Sequence, residues 1–343
     1  MNDAELDSSL VGTSFMQQGS AKSAPAWDFR QGLAAPSAVT SFLDQAADWL
    51  SEPEFIPIVW PRLLSACTQL RDGAADPNWV DRLRDHRLTE IIREEPATSW
   101  SARKPRGYSG DAHLMDFLYE HPSVRASVLA ASPRGRALNA MVASSRAPVA
   151  VQERRRLLAR LLDQTAERVP NAEVMVVAAG HLREAEFSAS LGTLRRLVVL
   201  DQDPASIAEV TQAYGNRTTL YPITSSVGRL MVRPLVHGRF DLIYAAGLYD
   251  YLDEPTAVRM TLSLFAALRP GGRLLFANFC TGVEDYGYMD AFMDWRLILR
   301  DEQEMRVLID ALPAADMERA SMFRGANGAI VNALVEKRAD LRD

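Results

Sequence analysis

Residues 174–188 read VMVVAAGHLREAEFS, and here the sequence changes from a pattern of helices alone to one of alternating strands and helices. An apolar run ends at a single glycine, Gly180, and a segment with the composition of a helix begins at once. RRLVVLD (195–201) then predicts a second strand, and PASIAEVTQAYG (204–215) predicts a helix opened by a proline. Apolar strands that alternate with helices are typical of a parallel sheet covered on both faces.

The same alternation continues almost to the end of the chain. Further strands are predicted at TTLYPIT (218–224), FDLIYAA (240–246) and GRLLFANF (272–279). Helices are predicted at LREAEFSASL (182–191), TAVRMTLSLFAAL (256–268) and 302–311, with a turn at RPGG (269–272). ERASMFR (318–324) and GAIVNALVEK (328–337) are joined by Gly-Ala-Asn-Gly, which predicts a hairpin and an antiparallel closing strand. We therefore expect an α/β fold with a doubly wound, mainly parallel, seven-stranded sheet.

The first half of the chain predicts helices only. In SAVTSFLDQAADWL (37–50), one stripe holds Val39, Phe42, Leu43, Ala46, Trp49 and Leu50. More helices are predicted at 55–70, 78–95, 112–120 and 149–167, and a break is predicted at 98–110. Asp76 is the start signal of the helix at 78–95, and Asp111 is the cap of the helix at 112–120. The predicted organisation is a disordered tail at 1–25, an all-helical N-terminal region at 26–170 that forms a lid and acceptor pocket, and a ligand-binding domain at 171–338.

Composition limits the classes of function. Apolar residues make up 48% of the 343 residues, enough for a full core, and the net charge of -6 argues against a nucleic-acid partner. The two cysteines, Cys67 and Cys280, form no disulfide framework or zinc motif, and no metal site is predicted. The first residues do not resemble a signal peptide, and no apolar run is long enough to span a membrane. We expect a cytoplasmic protein with no stable membrane association.

Ligands of open parallel sheets bind beyond the carboxyl ends of the strands. Gly180 follows the first predicted strand, and Asp201 ends the second, where a carboxylate accepts hydrogen bonds from ribose hydroxyls. The alternative is that Asp201 caps the next helix, although Asp203 is better placed as a cap. No glycine-rich phosphate cradle or Walker lysine is present, so a ligand with ribose but without pyrophosphate is favoured. S-adenosylmethionine meets that description.

Longer motifs carry a resemblance to a known family. FDLIYAAGLYDYL (240–252) and LRPGGRLLFANF (268–279) resemble motifs of class I S-adenosylmethionine-dependent methyltransferases. Within that class, five segments together resemble the extracellular-factor, 3-hydroxypalmitic acid methyl ester biosynthesis type: RKPRGYSGDAHLMDFLY (103–119), APVAVQERRRLL (147–158), AAGHLRE (178–184), LVVLDQD (197–203) and YMDAFMDWRLILRDEQEM (288–305). The resemblance covers roughly residues 103–337, and the first motif departs from the superfamily by having one glycine instead of two or three.

The resemblance implies the positions that hold the cofactor, S-adenosyl-L-methionine. Gly180 and Glu184 would lie at its methionine end, and Asp201 would bind the ribose. Asp203, Ser225, Ser226 and Val227 would flank the adenine, and Ala246, Gly247 and Tyr249 would line the floor near the methyl group. Ala179 and Gln202 are two further candidate cofactor-binding residues. A thinner glycine loop leaves open how the carboxylate end of the cofactor is held.

Acceptor chemistry is less defined by the sequence. The catalytic candidates are Tyr108, Tyr249, Asp250 and His113, with His181 a weaker candidate base. Candidate acceptor-binding residues are Arg106, Asp111, Asn278, Phe279, Tyr288, Trp295 and Arg296. Arg106 suits an acceptor carboxylate, and the alternative is a surface loop whose arginine is solvated. An ion pair between Asp294 and Arg296 and a core role for Trp295 are alternatives. RRRLLAR (154–160) is interpreted as a basic helix face that is solvated or paired with nearby acids.

We expect methyl transfer to a small molecule, at a carboxylate or another oxygen of a metabolite or signal. By resemblance, a 3-hydroxy fatty acid is one candidate acceptor. Methylation of nitrogen or sulfur in specialised metabolism stays open, as does a non-catalytic cofactor-binding scaffold. An NAD-dependent oxidoreductase would need the GxGxxG that the sequence lacks. A homodimer is compatible with the amphipathic N-terminal helices.

Overall fold

The structure, a computed structural model, describes residues 36–73, 77–233 and 236–339. The predicted tail at 1–25 and the start signal at Asp76 lie outside these residues. The helices before the sheet are α1 (Pro36–Leu50), α2 (Ile56–Asp72), α3 (Trp79–Arg84), α4 (Leu88–Ile92), α5 (Pro96–Arg103), α6 (Ala112–Leu118), α7 (Arg125–Ala130), α8 (Pro133–Ser144) and α9 (Arg146–Arg168).

A seven-stranded sheet occupies the second half of the chain. Its strands are β1 (Glu173–Val177), β2 (Arg196–Asp201), β3 (Leu220–Thr224), β4 (Phe240–Ala245), β5 (Leu268–Phe279), β6 (Met317–Arg324) and β7 (Ile330–Lys337). The helices between them are α10 (Pro204–Tyr214), α11 (Gly228–Val232), α12 (Glu254–Ala266), α13 (Asp285–Phe292) and α14 (Glu302–Asp310). The strand order is β3-β2-β1-β4-β5-β7-β6. The pairings among β1 to β5 are parallel, and β7 is antiparallel to both of its neighbours, β5 and β6. The predicted sheet and its closing hairpin are confirmed.

Helices cover both faces of the sheet, as its apolar strands require. On one face, Met260 and Leu264 of α12 and Leu308 of α14 pack on the strands. On the other face, Leu162 of α9 and Val210 of α10 do the same. Every residue of β1 and β4 is buried. The carboxyl ends of these strands carry only loops, and this edge is where the candidate site lies.

The predicted helix at 182–191 is wrong. This connection contains only two 3-10 turns, Arg183–Glu186 and Leu191–Thr193. The carboxylate of Asp163 on α9 accepts hydrogen bonds from the hydroxyl of Ser188 (2.6 Å) and the backbone N–H of Ser190 (3.0 Å). These bonds satisfy the local polar groups outside a helix, which is how such side chains compete with helical structure.

Other predicted boundaries also needed correction. The helix expected over 78–95 is the pair α3 and α4, and the break expected at 98–110 begins inside α5. Glu95 caps α5 by accepting from the backbone N–H groups of Ala97 and Thr98, with Pro96 at the first helical position. The turn expected at RPGG lies within β5, at a register shift against β4.

Helix α13 was not predicted, and it joins the two halves of the chain by packing on α2 and α3. Helices α7, α8 and α11 were also not predicted. The described residues cluster in one compact unit, and the division near residue 170 stays a prediction. None of the described helices combines the length and the apolar character that crossing a membrane requires.

Candidate active site

A cavity of about 550 Å³ opens at the carboxyl ends of β1, β2 and β4. Loops from the sheet form its floor, and α6, α9 and the segment after α5 complete its wall. The predicted site residues that line it are Tyr108, Ala179, Gly180, Glu184, Asp201, Gln202, Val227, Ala246, Gly247, Asp250, Phe279, Trp295 and Arg296. The other nine predicted residues, which lie outside this lining, are Arg106, Asp111, His113, Asp203, Ser225, Ser226, Tyr249, Asn278 and Tyr288.

The loop after β1 turns sharply at three residues with positive φ. They are Ala178 (53°), Gly180 (55°) and Leu182 (53°). A Cβ on Gly180 would lie 3.2 Å from the Cβ of Ala112, the first residue of α6. The single glycine of this loop therefore stands against the start of α6, and a side chain there would push α6 away.

Asp201, at the end of β2, has the environment expected of a ligand-binding carboxylate. It accepts hydrogen bonds from the backbone N–H of Gly180 to Oδ2 (2.8 Å) and from that of Asp203 to Oδ1 (2.9 Å). Burial raises the pKa of Asp201, while these backbone hydrogen bonds act to lower it. A carboxylate offers about four acceptor positions. Each Asp201 oxygen therefore retains acceptor capacity towards the cavity.

Asp203 caps α10, as the sequence predicted. Its Oδ1 accepts from the backbone N–H of Ala205 (2.9 Å), and its Oδ2 accepts from the hydroxyl of Ser206 (2.8 Å) and from the guanidinium of Arg106 (2.6 Å). Burial acts to raise the pKa of Asp203, but the bonds from Ser206 and Ala205 and the charge of Arg106 bring the net pKa below its usual value. Arg106 also contacts Nε2 of His181 (3.2 Å), so it ties the segment after α5 to the sheet.

A buried polar cluster on α6, which the sequence did not reveal, supports the β1 loop. Asp116 accepts two hydrogen bonds from Arg183 (2.8 and 2.7 Å) and contacts Nδ1 of His181 (2.9 Å). Burial acts to raise the pKa of Asp116, but its bonds with Arg183 and His181 hold it well below the usual range. Arg183 also reaches Glu209 of α10 (2.8 Å). His181 and Arg183 are therefore held by protein groups, and they fix the backbone of the loop.

Glu184 lies at the deep end of the cavity. The Tyr244 hydroxyl donates to its Oε1 (2.8 Å). Burial raises the pKa of Glu184, against the lowering effects of that hydrogen bond and of the charges of Arg154 and Arg155. The interpretation of residues 154–160 as a solvated face is wrong for these two arginines, because both are buried. The signal was present, since Arg154 stands three residues after Val151 and four before Leu158 on the buried stripe of α9.

Asp250 follows β4 and is buried in the cavity wall. The Oδ1 of Asp250 accepts a hydrogen bond from the backbone N–H of Phe279 (2.7 Å), and its backbone carbonyl accepts one from the backbone N–H of Ile298 (2.8 Å). Burial raises the pKa of Asp250 to about 6, against the hydrogen bond from Phe279 and the charges of Arg154 and Arg300. A carboxyl group with this pKa exchanges its proton near neutral pH, as a general base must.

Tyr249 and Asn278 lie behind the cavity wall. Tyr249 stacks on Phe276 with ring centroids 4.7 Å apart, and its hydroxyl bonds Thr261 (3.0 Å). The Oδ1 of Asn278 accepts from Arg300 (2.7 Å), whose Nη1 also donates to the carbonyl of Tyr249 (2.7 Å). Arg300, which the sequence reasoning did not single out, therefore holds together the loops after β4 and β5.

The segment after α5 meets the opposite wall at Gly110. This residue has a φ of 75°, and a Cβ there would lie 2.0 Å from Oη of Tyr251 and 2.5 Å from Nε1 of Trp295. Trp295 donates to that Tyr251 oxygen (2.7 Å). Tyr108 is half-buried beside them, and burial and the charges of Asp201 and Asp203 raise its pKa. These contacts form the wall of the cavity around Gly110.

Asp111 is the buried residue that caps α6, His113 lies in the first turn of that helix, and neither lines the cavity. Asp111 caps the helix by accepting from the backbone N–H of Leu114 (2.8 Å), and its oxygens accept from Nε1 of Trp100 (2.9 and 3.1 Å). The His113 ring packs on Trp100 at 4.1 Å, and burial lowers the pKa of His113. The contacts of both residues are with the protein, which favours positioning of α6.

The remaining candidates have structural partners of their own. Tyr288 bonds Thr98 (2.7 Å) between α13 and α5. Ser225 and Ser226 follow β3, where the Ser225 hydroxyl donates to the Ser226 carbonyl (3.3 Å). Their neighbour Val227 is the part of this loop that reaches the cavity.

Asp294 does not pair with Arg296, so that alternative is wrong. Asp294 pairs with Arg84 (2.7 Å) and with Lys104, which links α3 and the end of α5 to the loop after α13. Arg296 is exposed at the rim of the cavity. Trp295 is buried and also lines the cavity, so the core alternative and the site prediction both describe its position.

The strand order and the antiparallel β7 are those of the class I methyltransferase fold, a Rossmann-like architecture. No protein-family model matches the sequence, and a search of curated proteins finds no match. Among solved structures, the chain resembles a possible exported protein from Bordetella parapertussis, with a TM-score of 0.57 and 16% identity over 89% of this chain and 99% of that one. This likeness concerns the fold alone.

Two methyltransferases are more distant neighbours. One is N-methyltransferase NodS from Bradyrhizobium japonicum in complex with S-adenosyl-L-homocysteine, with a TM-score of 0.40 and 18% identity over 54% of this chain and 87% of that one. The other is magnesium protoporphyrin IX methyltransferase from Synechocystis with the same compound bound, with a TM-score of 0.40 and 15% identity over 55% and 84%. At these distances the likeness does not establish what this chain binds.

Proposed function

We propose that the chain is an S-adenosylmethionine-dependent methyltransferase acting on a small-molecule acceptor. The observation that carries this proposal is Asp201, which retains acceptor capacity in a cavity at the carboxyl edge of the sheet. A ribose diol needs such acceptors at the end of the second strand. The single-glycine loop beside it suits a ligand without pyrophosphate.

The residues present fit the cofactor along its length. Asp201 would bind the ribose hydroxyls, with Gln202 and Val227 beside the adenine, and Glu184 would face the methionyl ammonium. When bound, the cofactor supplies a methyl group on a sulfonium, which is already activated for displacement. The protein therefore has to align the acceptor and exclude water.

The acceptor side of the cavity supports methylation of an oxygen. Asp250, with its pKa near 6, would take the proton of a hydroxyl acceptor. A carboxylate acceptor, such as that of a 3-hydroxy fatty acid, needs no base. Tyr108 and Trp295 would then enclose it together with Phe279. Transfer to nitrogen or sulfur in specialised metabolism is the alternative outcome of an acceptor screen.

Cofactor binding tests the proposal directly. We expect Asp201→Ala to weaken binding of S-adenosylhomocysteine at least about tenfold, since a lost charged anchor costs about 1.4 kcal/mol or more. The matched control is Asp241→Ala, a buried carboxylate at the amino edge of the same sheet that accepts from the backbone N–H of Glu173 (2.8 Å). Calorimetric titration compares them, and equal affinities in both variants and the wild type would remove Asp201 from the site.

Other aspects of the function remain predictions from the sequence. They are a cytoplasmic location, a homodimer, action without a nucleic-acid partner or stable membrane association, and the use of 26–170 as lid and acceptor pocket. Among the described residues no group of three or more histidine, cysteine, aspartate or glutamate side chains is arranged to hold a metal ion.

A further inference from the structure

Arg154 is a buried cation in the wall of the cavity. It lies on α9, only 7% of the residue is exposed, and its Nη1 donates to the backbone carbonyl of Ala246 (2.6 Å). Its guanidinium lies 5.9 Å from the centre of the Phe279 ring. Within the described ranges Arg154 forms no salt bridge. A buried guanidinium without an ionic partner is costly, so this position calls for an anion.

The other cations of the cavity wall are occupied or exposed. Arg183 is paired with Asp116 (2.7 Å), and His181 contacts the same carboxylate (2.9 Å). Lys104 is paired with Asp294. Arg296 is exposed at the rim, where water solvates it. Of the cations that the structure places around the cavity, Arg154 is thus the one that is buried and has no salt bridge; its side chain is hydrogen-bonded to the carbonyl of Ala246 and to Tyr119, both neutral groups.

The loop after β1 has few backbone donors left for an anion. The N–H of Ala179 donates to the carbonyl of Leu200 (3.2 Å), and that of Leu182 donates to the carbonyl of Ala179 (3.1 Å). The N–H of Gly180 is bound to Asp201 (2.8 Å). Three N–H groups of this loop are therefore already taken, which favours a side chain as the group that holds a carboxylate at this end of the cavity.

A ligand carboxylate bound to Arg154 would lie close to the acidic side chain of Glu184. Glu184 lines the same end of the cavity, and its buried carboxyl group is bound on one oxygen by Tyr244. The charge of Arg154 acts on Glu184, lowering a pKa that burial raises. The two side chains form no salt bridge with each other, so both are available to a ligand. An α-amino acid group, with one carboxylate and one ammonium, complements this pair.

We propose that Arg154 binds the α-carboxylate of the methionyl group of S-adenosylmethionine, with Glu184 facing the ammonium. This inference rests on the proposed function. It assigns to a side chain of α9 the contact that a glycine-poor loop cannot supply. A guanidinium suits the role because it binds a carboxylate through two parallel hydrogen bonds.

The test compares three ligands by calorimetric titration of the full chain. S-adenosylhomocysteine carries the ammonium and the carboxylate, its decarboxylated form keeps only the ammonium, and methylthioadenosine has neither. We expect Arg154→Gln to weaken binding of S-adenosylhomocysteine about tenfold or more, since charged hydrogen bonds are the strong ones. Binding of the other two ligands should be unchanged.

The matched control is Arg155→Gln. Arg155 is equally buried on the same helix, but it stacks on Tyr119 (4.5 Å) and Phe187 (4.7 Å) and does not line the cavity. Its variant should leave the relative affinities of the three ligands as in the wild type. Arg154→Lys is a milder substitution because it keeps the positive charge. Since lysine cannot form the two parallel hydrogen bonds of a guanidinium, this variant should still reduce the preference for S-adenosylhomocysteine over methylthioadenosine.

Several outcomes would overturn the assignment. If both Arg154 variants weaken all three ligands equally, the residue has only a structural role. If neither Arg154 variant changes the preference for S-adenosylhomocysteine, the cofactor carboxylate is held by another group. If the variants weaken only the binding of the acceptor, Arg154 binds an acceptor carboxylate instead. If the wild type binds none of the three ligands, the proposed function itself fails. If the wild type binds them and the variants keep the same preference among them, only the role of Arg154 fails.

Discussion

Two buried carboxyl groups should make the folded protein less stable as the pH rises. Burial raises the pKa of Asp250 and of Asp285 from 3.8 to about 6. Each group therefore takes up a proton in the folded protein at a higher pH than in the unfolded chain. The resulting stabilisation is complete below pH 4 and is lost as the pH rises through about 6.

The size of the effect follows from the two pKa values. A rise from 3.8 to about 6 corresponds to about 3 kcal/mol, since a tenfold change in an equilibrium is worth about 1.4 kcal/mol. Asp250→Asn should remove this dependence while keeping an oxygen to accept from Phe279. Between about pH 4 and pH 8, the free energy of unfolding of the variant should therefore rise relative to the wild type by about 3 kcal/mol.

Urea unfolding across that pH range measures the difference, with Asp285→Asn as the matched variant. Asp285 accepts from the backbone N–H of Ala147 and lies outside the cavity of the candidate site. Both substitutions should flatten the pH dependence of stability, but only Asp250→Asn should also change the pH profile of methyl transfer to a hydroxyl acceptor. Stability curves parallel to that of the wild type would refute the raised pKa values.

Two further substitutions test the walls of the cavity. Gly110→Ala places a Cβ 2.0 Å from Oη of Tyr251 at a residue with a φ of 75°. We expect it to separate Tyr251 from Trp295 and to lower the free energy of unfolding in urea by about 1–3 kcal/mol. An unchanged unfolding midpoint would show that the close approach is absent. Tyr244→Phe removes the donor to Glu184 and should cost about 1–3 kcal/mol, more at pH 8 than in acid, because the ionised carboxylate needs the bond most. A loss that does not depend on pH would argue against that pairing.

The sheet could be predicted because its central strands β1, β2 and β4 are largely apolar and are separated by segments with helical patterns and clear start and stop signals. Strand β1 is buried at every position, which a run such as VMVV indicates without knowledge of its neighbours. The connection at 182–191 was misjudged because its structure depends on Asp163, which lies on another element. Helical composition alone cannot show that a distant carboxylate satisfies the local backbone.

The candidate site was predictable where residues follow strands directly. Asp201 ends β2 and Asp250 lies in the loop after β4, and the topology brings both to one edge of the sheet. Arg154 and Asp116 were missed because they lie on helices far away in sequence, and only packing of those helices against the sheet brings the charges into the cavity wall. Burial of Arg154 could have been anticipated from its place on the apolar stripe of α9, but its orientation towards the cavity could not.

The central claim is that this cavity binds S-adenosylmethionine. Calorimetric titration of the purified chain with S-adenosylhomocysteine, with NAD as the control ligand, tests it most directly. The account predicts saturable binding of S-adenosylhomocysteine near the micromolar range, no binding of NAD, and binding of S-adenosylhomocysteine that is weakened about tenfold or more in Asp201→Ala. Binding of NAD, or of neither ligand, would contradict it.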